Sequence, residues 1–128
     1  SPYKKNNIIV DKRFDFTELM PETIAYINHG GQNSIMSGLI YGVPQIIYPG
    51  NVFERKYNAT SIANLKAGIA LLDLKDFNSD KIKNIINDFT SNSIYRNNSK
   101  KAGEQLLNLG GVNRASEAIE QLILRKSN

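Results

Sequence analysis

The segment from residue 24 to residue 58 constrains the fold of this chain most strongly. The apolar run at residues 24–27 stops at polar residues and two glycines, and apolar residues then recur at helical spacing (Ile35, Met36, Leu39 and Ile40). Gly42-Val43-Pro44 ends this helix, because glycine suits a helix C-terminus and proline cannot continue it. A second apolar run, residues 45–48, follows. The pattern predicts a βαβ unit with a tight strand-to-helix turn.

The turn of this unit has the composition of an anion site. It contains His29, Gly30, Gly31, Asn33 and Ser34. The first N–H groups of a helix have no partners within the helix, and the helix dipole places partial positive charge there. Glycines let a phosphate approach the backbone, and amide and hydroxyl side chains add donors. The same residues also fit a plain turn, in which the glycines only supply positive φ and Asn33 or Ser34 only caps the helix.

Further residues extend this pattern over most of the chain. They are His29-Gly30-Gly31-Gln32-Asn33-Ser34, Gly38-Leu39, Gly42-Val43-Pro44, Pro49, Glu54, Asn58-Ala59 and Gly110-Gly111-Val112-Asn113-Arg114-Ala115. In type and order this set resembles the donor-binding signature of the UDP-glycosyltransferase superfamily. That superfamily includes the bacterial macrolide and antibiotic glycosyltransferases, the plant secondary-product enzymes and the UDP-glucuronosyltransferases. The resemblance implies the GT-B fold, which has two Rossmann-like domains.

The resemblance also implies a role for each residue of the turn. His29, Gly30, Gly31, Asn33 and Ser34 match family positions that bind the donor diphosphate. A histidine contact there would steady the charge that builds on the leaving diphosphate, which is electrostatic catalysis. His29 is the only histidine and the chain has no cysteine, so we expect no metal site and no cofactor.

Glu54 and Arg55 form the second candidate site. In the resembled family an acidic residue followed by glutamine grips the sugar hydroxyls, shortly before an Asn-Ala pair. Glu54 matches the acid, although the loop after Pro49 is longer by one residue. Arg55 replaces the glutamine and adds a fixed charge with a planar donor fork, which could pair with a phosphate or with the carboxylate of an acidic donor sugar. The alternative is that both residues only begin a solvated helix.

The ribose and base side of the predicted site departs from the family pattern. The family's Trp-x-Pro-Gln loop is absent, and its tryptophan position falls on Arg13. Arg13 or Phe14 could still cover the base by stacking, whereas the alternative is that Phe14 and Phe16 pack under the following turn. The family's ribose-binding glutamate is replaced by Ser37, which is too short to accept two hydroxyls at once. We therefore expect weaker or different ribose recognition.

The whole pattern predicts an α/β fold, a Rossmann-like parallel β-sheet of about four strands with flanking helices. Residues 7–10 suit a buried parallel strand that follows a frayed lead, and residues 69–72 suit the last strand. Helices are expected over 54–66, 78–89, 93–108 and 112–125, with Gly68 capping the first of them. The expected core contacts of the helices before residue 109 are Tyr57, Ile62, Leu65, Ile82, Ile85, Ile86, Phe89, Ile94, Tyr95, Ala102, Leu106 and Leu107.

Residues 1–128 are expected to form a single Rossmann-like nucleotide-sugar-binding domain, part of a GT-B C-terminal domain. Relative to the resembled family, the chain lacks a first strand-helix unit with a Gly-rich turn and an entire acceptor-binding N-terminal domain. The family's general base lies in that domain, so no catalytic residue is assigned here. We expect a fragment, or one half of a split enzyme whose partner chain supplies the rest, and we expect the isolated chain to be inactive.

Charge and composition narrow the partners only slightly. The net charge of +4 and the pI near 9.3 suit an acidic ligand such as a nucleotide sugar, but they also suit RNA or an anionic membrane surface. Lys and Arg are scattered along the predicted helices, so we expect no nucleic-acid partner, while a peripheral membrane contact stays open. Since the chain shows no signal peptide and no membrane-spanning run, the expected location is cytoplasmic.

By resemblance, the sequence predicts the donor-binding part of an inverting, metal-independent glycosyltransferase. The parent enzyme would transfer a hexose from a nucleotide-diphosphate sugar, expected to be a UDP-sugar, to an acceptor hydroxyl. One alternative is another nucleotide-sugar enzyme, such as an epimerase, on the same scaffold. That chemistry needs acids or bases in the crevice, where the chain offers only Asp15 and Glu54. The other alternative is a non-catalytic nucleotide-binding module.

Overall fold

The computed structural model describes residues 23–108 and the short segments 3–5 and 8–10. Two strands, β1 (Tyr3–Lys5) and β2 (Ile8–Val10), precede the main sheet. The main sheet consists of β3 (Tyr26–Asn28), β4 (Gln45–Ile47) and β5 (Gly68–Ala70). The helices are α1 (Gln32–Ile40), α2 (Phe53–Asn64), α3 (Ser79–Ser91) and α4 (Ile94–Asn108), and a short 3₁₀ helix covers Leu74–Asp76.

The main sheet is parallel, and its strands lie in chain order, β3-β4-β5. Tyr26 lies opposite Gln45, and Gln45 lies opposite Gly68. Helix α1 connects β3 to β4, and α2 connects β4 to β5. Because the three strands run the same way, the turns that follow them meet at one edge of the sheet, where open α/β sheets bind ligands. The predicted βαβ unit and the α/β fold class are confirmed.

The prediction for residues 7–10 is wrong in one respect. They do contain a strand, but β2 pairs antiparallel with β1, with Tyr3 opposite Val10. The lead that was expected to be frayed therefore includes β1, and the parallel sheet has three strands among the described residues rather than about four. Two asparagines separate β1 from β2 in the sequence. So short a connection can join antiparallel strands, whereas parallel strands need a crossover of a dozen or more residues.

Helices cover both faces of the parallel sheet. On one face, α1, α2 and α4 bury a cluster together with β4 (Ile35, Met36, Leu39, Ile47, Ala59, Ile62, Leu65, Ala102 and Leu106). On the other face, α3 packs against a smaller cluster (Ile46, Leu71, Ile85 and Phe89, with Ile82, Ile86 and Tyr95 partly buried). The apolar stripe predicted for α3 is therefore confirmed.

Three residues that were expected in the core are exposed instead: Tyr57, Ile94 and Leu107. Leu106 is fully buried, but Leu107 keeps 57% of its surface exposed, because successive residues on a helix point in directions about 100° apart. The buried face of α2 begins with a polar residue, Asn58, next to the exposed Tyr57. Apolar periodicity alone selects the tyrosine and overlooks the asparagine.

The ends of α1 and α2 share one hydrogen-bond pattern but use different residues. After α1, Val43 N–H donates to the Gly38 carbonyl (2.8 Å) and Gly42 has φ +68°, which is a Schellman ending. After α2, Ala67 N–H donates to the Ile62 carbonyl (3.1 Å), but the left-handed residue is Lys66, with φ 54°. The prediction that Gly68 caps α2 is therefore wrong. Gly68 instead lies in β5, where a methyl group on it would overlap the backbone of Gln45.

The C-terminal half of α1 is fixed against α4. The two helices cross so closely at Gly103 that a methyl group there would overlap the Leu39 carbonyl oxygen. Beside this crossing, the buried Ser99 hydroxyl lies 3.3 Å from the carbonyl oxygens of Gly38 and Val43. Helix α1 is thus set against its neighbour through backbone contacts as well as side chains.

Several predictions lie outside the described residues. They concern Arg13, Phe14, Asp15 and Phe16, the Gly110–Ala115 motif and the helix over 112–125. In the part of the chain that the structure does describe, no helix is both long enough and apolar enough to cross a bilayer.

Candidate functional site

The turn from β3 to α1 brings the predicted anion-binding residues together at the carboxyl edge of the sheet. Gly30 has φ +87°, a conformation that glycine adopts without strain. A methyl group on Gly30 would lie 2.9 Å from the Arg55 carbonyl oxygen and 3.1 Å from Ile47 Cγ2. The turn therefore fits closely against the start of α2, and this position has room only for glycine.

Buried amide side chains hold the turn from inside the protein. Asn28 Oδ1 accepts the Gly30 N–H (2.8 Å), and Asn58 Nδ2 donates to the Gly30 carbonyl (2.9 Å). Asn28 Nδ2 donates to Gln45 Oε1 (3.0 Å), and Gln45 Nε2 donates to the Ile35 carbonyl (3.1 Å). Asn28, Gln45 and Asn58 are all buried. Both polar groups of Gly30 are therefore bonded to buried side chains, which restrain the backbone of the turn.

Gly31 and the first turn of α1 are open on the outer side. Gly31 is the N-cap, and it has no side chain to bond to the first N–H groups. No acidic residue lies in the first turn of α1, and a methyl group on Gly31 would have no neighbour within 4 Å among the residues that the structure describes. This helix start therefore keeps its partial positive charge and has space in front of it.

Asn33 and Ser34 lie in this first turn and differ in their surroundings. Asn33 is exposed, whereas Ser34 is half-buried and its side chain hydrogen-bonds to the Tyr26 phenol. Burial raises the pKa of Tyr26, and the bond with Ser34 opposes that shift. Either hydroxyl can be the donor in this bond, and when the Tyr26 phenol donates, the Ser34 hydroxyl keeps its own hydrogen for a ligand.

His29 is exposed beside the turn, and its Nδ1 lies 3.2 Å from the Tyr48 carbonyl oxygen. A carbonyl oxygen only accepts, so Nδ1 carries the proton in this bond. The other ring nitrogen, Nε2, then donates to an anion only when the imidazole is protonated on both nitrogens. Tyr48, which follows β4, thus orients the side chain of His29, which follows β3.

The predicted sugar-binding residues lie at the start of α2. Glu54 and Arg55 have exposed side chains in its first turn, and the backbone of Arg55 touches the Gly30 turn. Phe53, just before them, is 84% exposed. Ser37 is half-buried on α1, one helical turn beyond Ser34. Arg13 and Phe14 lie outside the described residues.

Sequence reasoning missed the three buried amides. Asn28 and Asn58 belong to polar or family-like segments of the sequence and Gln45 to an apolar run, so pattern alone singles out none of them. A signal for Gln45 was present, since an amide inside an apolar run needs buried partners. The Gln45 side chain packs against Gly38, where a methyl group would overlap it. Within the described residues, no group of three His, Cys, Asp or Glu side chains is placed to hold a metal ion.

The chain matches a family model over most of its length, and its parallel α/β sheet superposes on glycosyltransferases of known structure. The chain is the C-terminal Rossmann-like domain of a GT-B UDP-glycosyltransferase. More narrowly, the chain belongs to the family of erythromycin biosynthesis protein CIII-like C-terminal domains, whose model matches residues 5–113. Glycosyltransferase family membership and the predicted fold are therefore confirmed.

Individual relatives agree with this family. A UDP-glucosyltransferase of Bacillus subtilis, YojK, itself uncharacterised, is 24% identical over 94% of this chain and 29% of its own length. The spinosyn forosaminyltransferase SpnP superposes with a TM-score of 0.73 at 20% identity, over 95% of this chain and 32% of its own. The glycosyltransferase VinC, solved in complex with dTDP, superposes with a TM-score of 0.69 at 19% identity, over 86% of this chain and 27% of its own. The chain thus spans less than a third of the length of these relatives.

Proposed function

We propose that this chain is the donor-binding part of a glycosyltransferase, and that the turn from β3 to α1 binds the diphosphate of a nucleotide sugar. The observation that carries the proposal is the start of α1, which has no side-chain cap and no acidic residue in its first turn, and which no described residue blocks in front of Gly31. Buried amides hold the same turn in one conformation. A fixed helix start with free space in front of it suits an anion that must be bound at short range.

The hydrogen-bond donors around this space are suited to stabilise the negative charge of a leaving diphosphate. In the transfer, the bond between the anomeric carbon and the diphosphate oxygen breaks, and negative charge grows on that oxygen. The Gly31 N–H, the Ser34 hydroxyl and the doubly protonated form of His29 would stabilise this charge more in the transition state than in the bound donor. Asn33 adds an exposed amide donor. These groups give the charge stabilisation for which other enzymes use a metal, so we propose a metal-independent reaction.

Glu54 and Arg55 would bind the sugar, a hexose in this proposal. Their helix begins against the Gly30 turn, so their side chains start close to the predicted diphosphate. An acceptor hydroxyl attacking from the side opposite the diphosphate would invert the anomeric centre. The general base for that hydroxyl would come from an acceptor-binding domain or a partner chain. Ser37, with Arg13 and Phe14, would form the ribose and base side.

Titration of this chain with nucleotides, followed by amide NMR, tests the proposal. UDP should shift the amide signals of residues 30–34, and uridine at the same concentration should leave them unchanged. Because VinC was solved with dTDP, dTDP belongs beside UDP, UDP-glucose, UDP-N-acetylglucosamine and UDP-glucuronate in the series. Shifts with dTDP alone would move the base assignment from uridine to thymidine. If no nucleoside diphosphate shifts residues 30–34, or if the shifts fall on another surface, the proposed function is wrong.

A further inference from the structure

We propose that Asn58 is a positioning residue for the donor diphosphate, acting through the peptide group between Gly30 and Gly31. This inference rests on the proposed function, since it assigns the residue that aims one of the phosphate donors. Asn58 lies on α2 and is buried, and its Nδ2 donates to the Gly30 carbonyl over 2.9 Å. It does not face the open side of the turn, so it would not touch the ligand.

The geometry of a single peptide group connects Asn58 to the ligand. The Gly30 carbonyl and the Gly31 N–H belong to the same planar trans peptide, in which the two groups point in opposite directions. Because Asn58 holds the carbonyl towards the core, the Gly31 N–H points away from the core. Among the described residues, a methyl group on the Gly31 α-carbon would have no neighbour within 4 Å, so there is free space beside this N–H. Asn58 therefore aims a backbone donor at the place proposed for a phosphate oxygen.

Asn28 fixes the preceding peptide in the same way. Its Oδ1 accepts the Gly30 N–H, and its Nδ2 is bound by Gln45, so its amide cannot turn over without breaking both bonds. The two asparagines together hold both peptide groups of Gly30. Glycine has access to more backbone conformations than any other residue, so this position gains most from outside restraint. Among the described residues, no buried side-chain nitrogen or oxygen lacks a hydrogen-bond partner, which makes the network complete there.

Asn58 and Asn64 provide a matched pair of variants on one helix. Asn64 is exposed near the end of α2, whereas Asn58 is buried at the turn. We expect Asn58→Ala to weaken UDP binding by about tenfold, equivalent to the loss of one charge-assisted hydrogen bond. Asn64→Ala should bind UDP as the unchanged chain does. A purely structural role for Asn58 would weaken uridine and UDP equally, so the ratio of the two affinities is the deciding measurement.

The unchanged chain offers a second measurement that does not depend on a variant that folds. When a phosphate accepts the Gly31 N–H, the peptide polarises and its carbonyl becomes a stronger acceptor. The Asn58 side-chain amide protons should then shift downfield as UDP is added, while those of Asn64 stay in place.

The outcomes separate the two proposals. A fall in the UDP-to-uridine affinity ratio of Asn58→Ala, or a downfield shift of the Asn58 amide, supports the positioning role. If UDP shifts the Gly31 amide but leaves the Asn58 amide unmoved, the positioning role is wrong and the diphosphate site stands. An unchanged UDP-to-uridine affinity ratio in Asn58→Ala would also show that the positioning role is wrong while the diphosphate site stands. If UDP does not shift Gly31 at all, the proposed function itself fails.

Discussion

The two strand-to-helix turns at the carboxyl edge of the sheet are built in opposite ways. The turn after β3 is held from inside, by Asn28 and Asn58 on either side of Gly30. The turn after β4 leads to an exposed stretch, residues 51–57, and Val52, the N-cap of α2, makes no side-chain capping bond. Gly50 in this second turn also has positive φ, at +65°, but a methyl group there would have no described residue within 4 Å.

Under the proposed function, this difference gives the two turns different roles. The first turn presents backbone groups in a fixed position, which suits the diphosphate, the part that all nucleotide-diphosphate sugars share. The second presents side chains on an exposed helix start, which suits the sugar, the part that varies between donors. Glycines in the two turns should therefore respond differently to substitution, and side chains of the second turn should change selectivity rather than folding.

Of four substitutions in the two turns, Gly30→Ala should have the largest effect on the free energy of unfolding, a loss of about 3 kcal/mol. The left-handed conformation costs about 1–2 kcal/mol for a residue with a side chain, and the close contact with the Arg55 carbonyl adds overpacking of similar size. Chemical denaturation of the variant and the unchanged chain measures this. A loss below about 1 kcal/mol would mean that the turn relaxes easily, contrary to the close fit.

Gly50→Ala should cost about 1 kcal/mol, because the new methyl group adds only the backbone penalty and touches nothing. The same denaturation series serves as the measurement, with Gly30→Ala as its partner. Equal losses of unfolding free energy in Gly30→Ala and Gly50→Ala would contradict the contrast between a restrained first turn and an open second turn.

Gly31→Ala should leave the free energy of unfolding within about 0.5 kcal/mol of its starting value. Alanine tolerates φ −64° and has space, and its poorer fit as an N-cap opposes the gain from a less flexible unfolded chain. UDP binding should nevertheless fall by about tenfold, because the methyl group occupies space proposed for phosphate. Titration calorimetry beside denaturation tests both statements, and unchanged UDP affinity would place the phosphate elsewhere.

Arg55→Gln should have the smallest effect on stability, since its side chain is exposed. It should lower the affinity for UDP-glucuronate relative to that for UDP-glucose if Arg55 pairs with the carboxylate of an acidic donor sugar, the second of the two partners that its guanidinium suits. Lys56→Gln removes an adjacent exposed charge and is the matched control. If both variants change the ratio of the two affinities equally, the effect is general electrostatics and Arg55 does not read the sugar.

The sequence was sufficient for the parts of the fold that depend on local pattern. The βαβ unit follows from two apolar runs, a glycine turn and Gly42, and each of these acts on neighbouring residues. It was insufficient where the outcome depends on distant partners. Lys66 adopts a left-handed conformation although Gly68 is close by, because Gly68 is needed where β5 passes Gln45. Nothing local to either residue indicates that choice.

The candidate site likewise has a part that local pattern indicates and a part that depends on distant contacts. The residues that face the open side, from His29 to Ser34, could be selected from composition and resemblance. The restraint on Gly30 comes from Asn28, Gln45 and Asn58, whose importance depends on contacts made across the sheet and from another helix. Hydrophobic periodicity treats a buried asparagine as a surface residue, so it assigned the inner face of α2 to Tyr57 instead of Asn58.

The crossing of α1 and α4 at Gly103 has a consequence for how a donor would be received. With the Leu39 carbonyl against the α-carbon of Gly103, α1 cannot slide or tilt towards α4 without a backbone collision. The helix whose first turn is the proposed ligand site therefore has a close backbone contact near its other end, which restrains its position before any nucleotide binds. A donor would meet a ready surface, and its affinity would not be reduced by the entropy of ordering a helix.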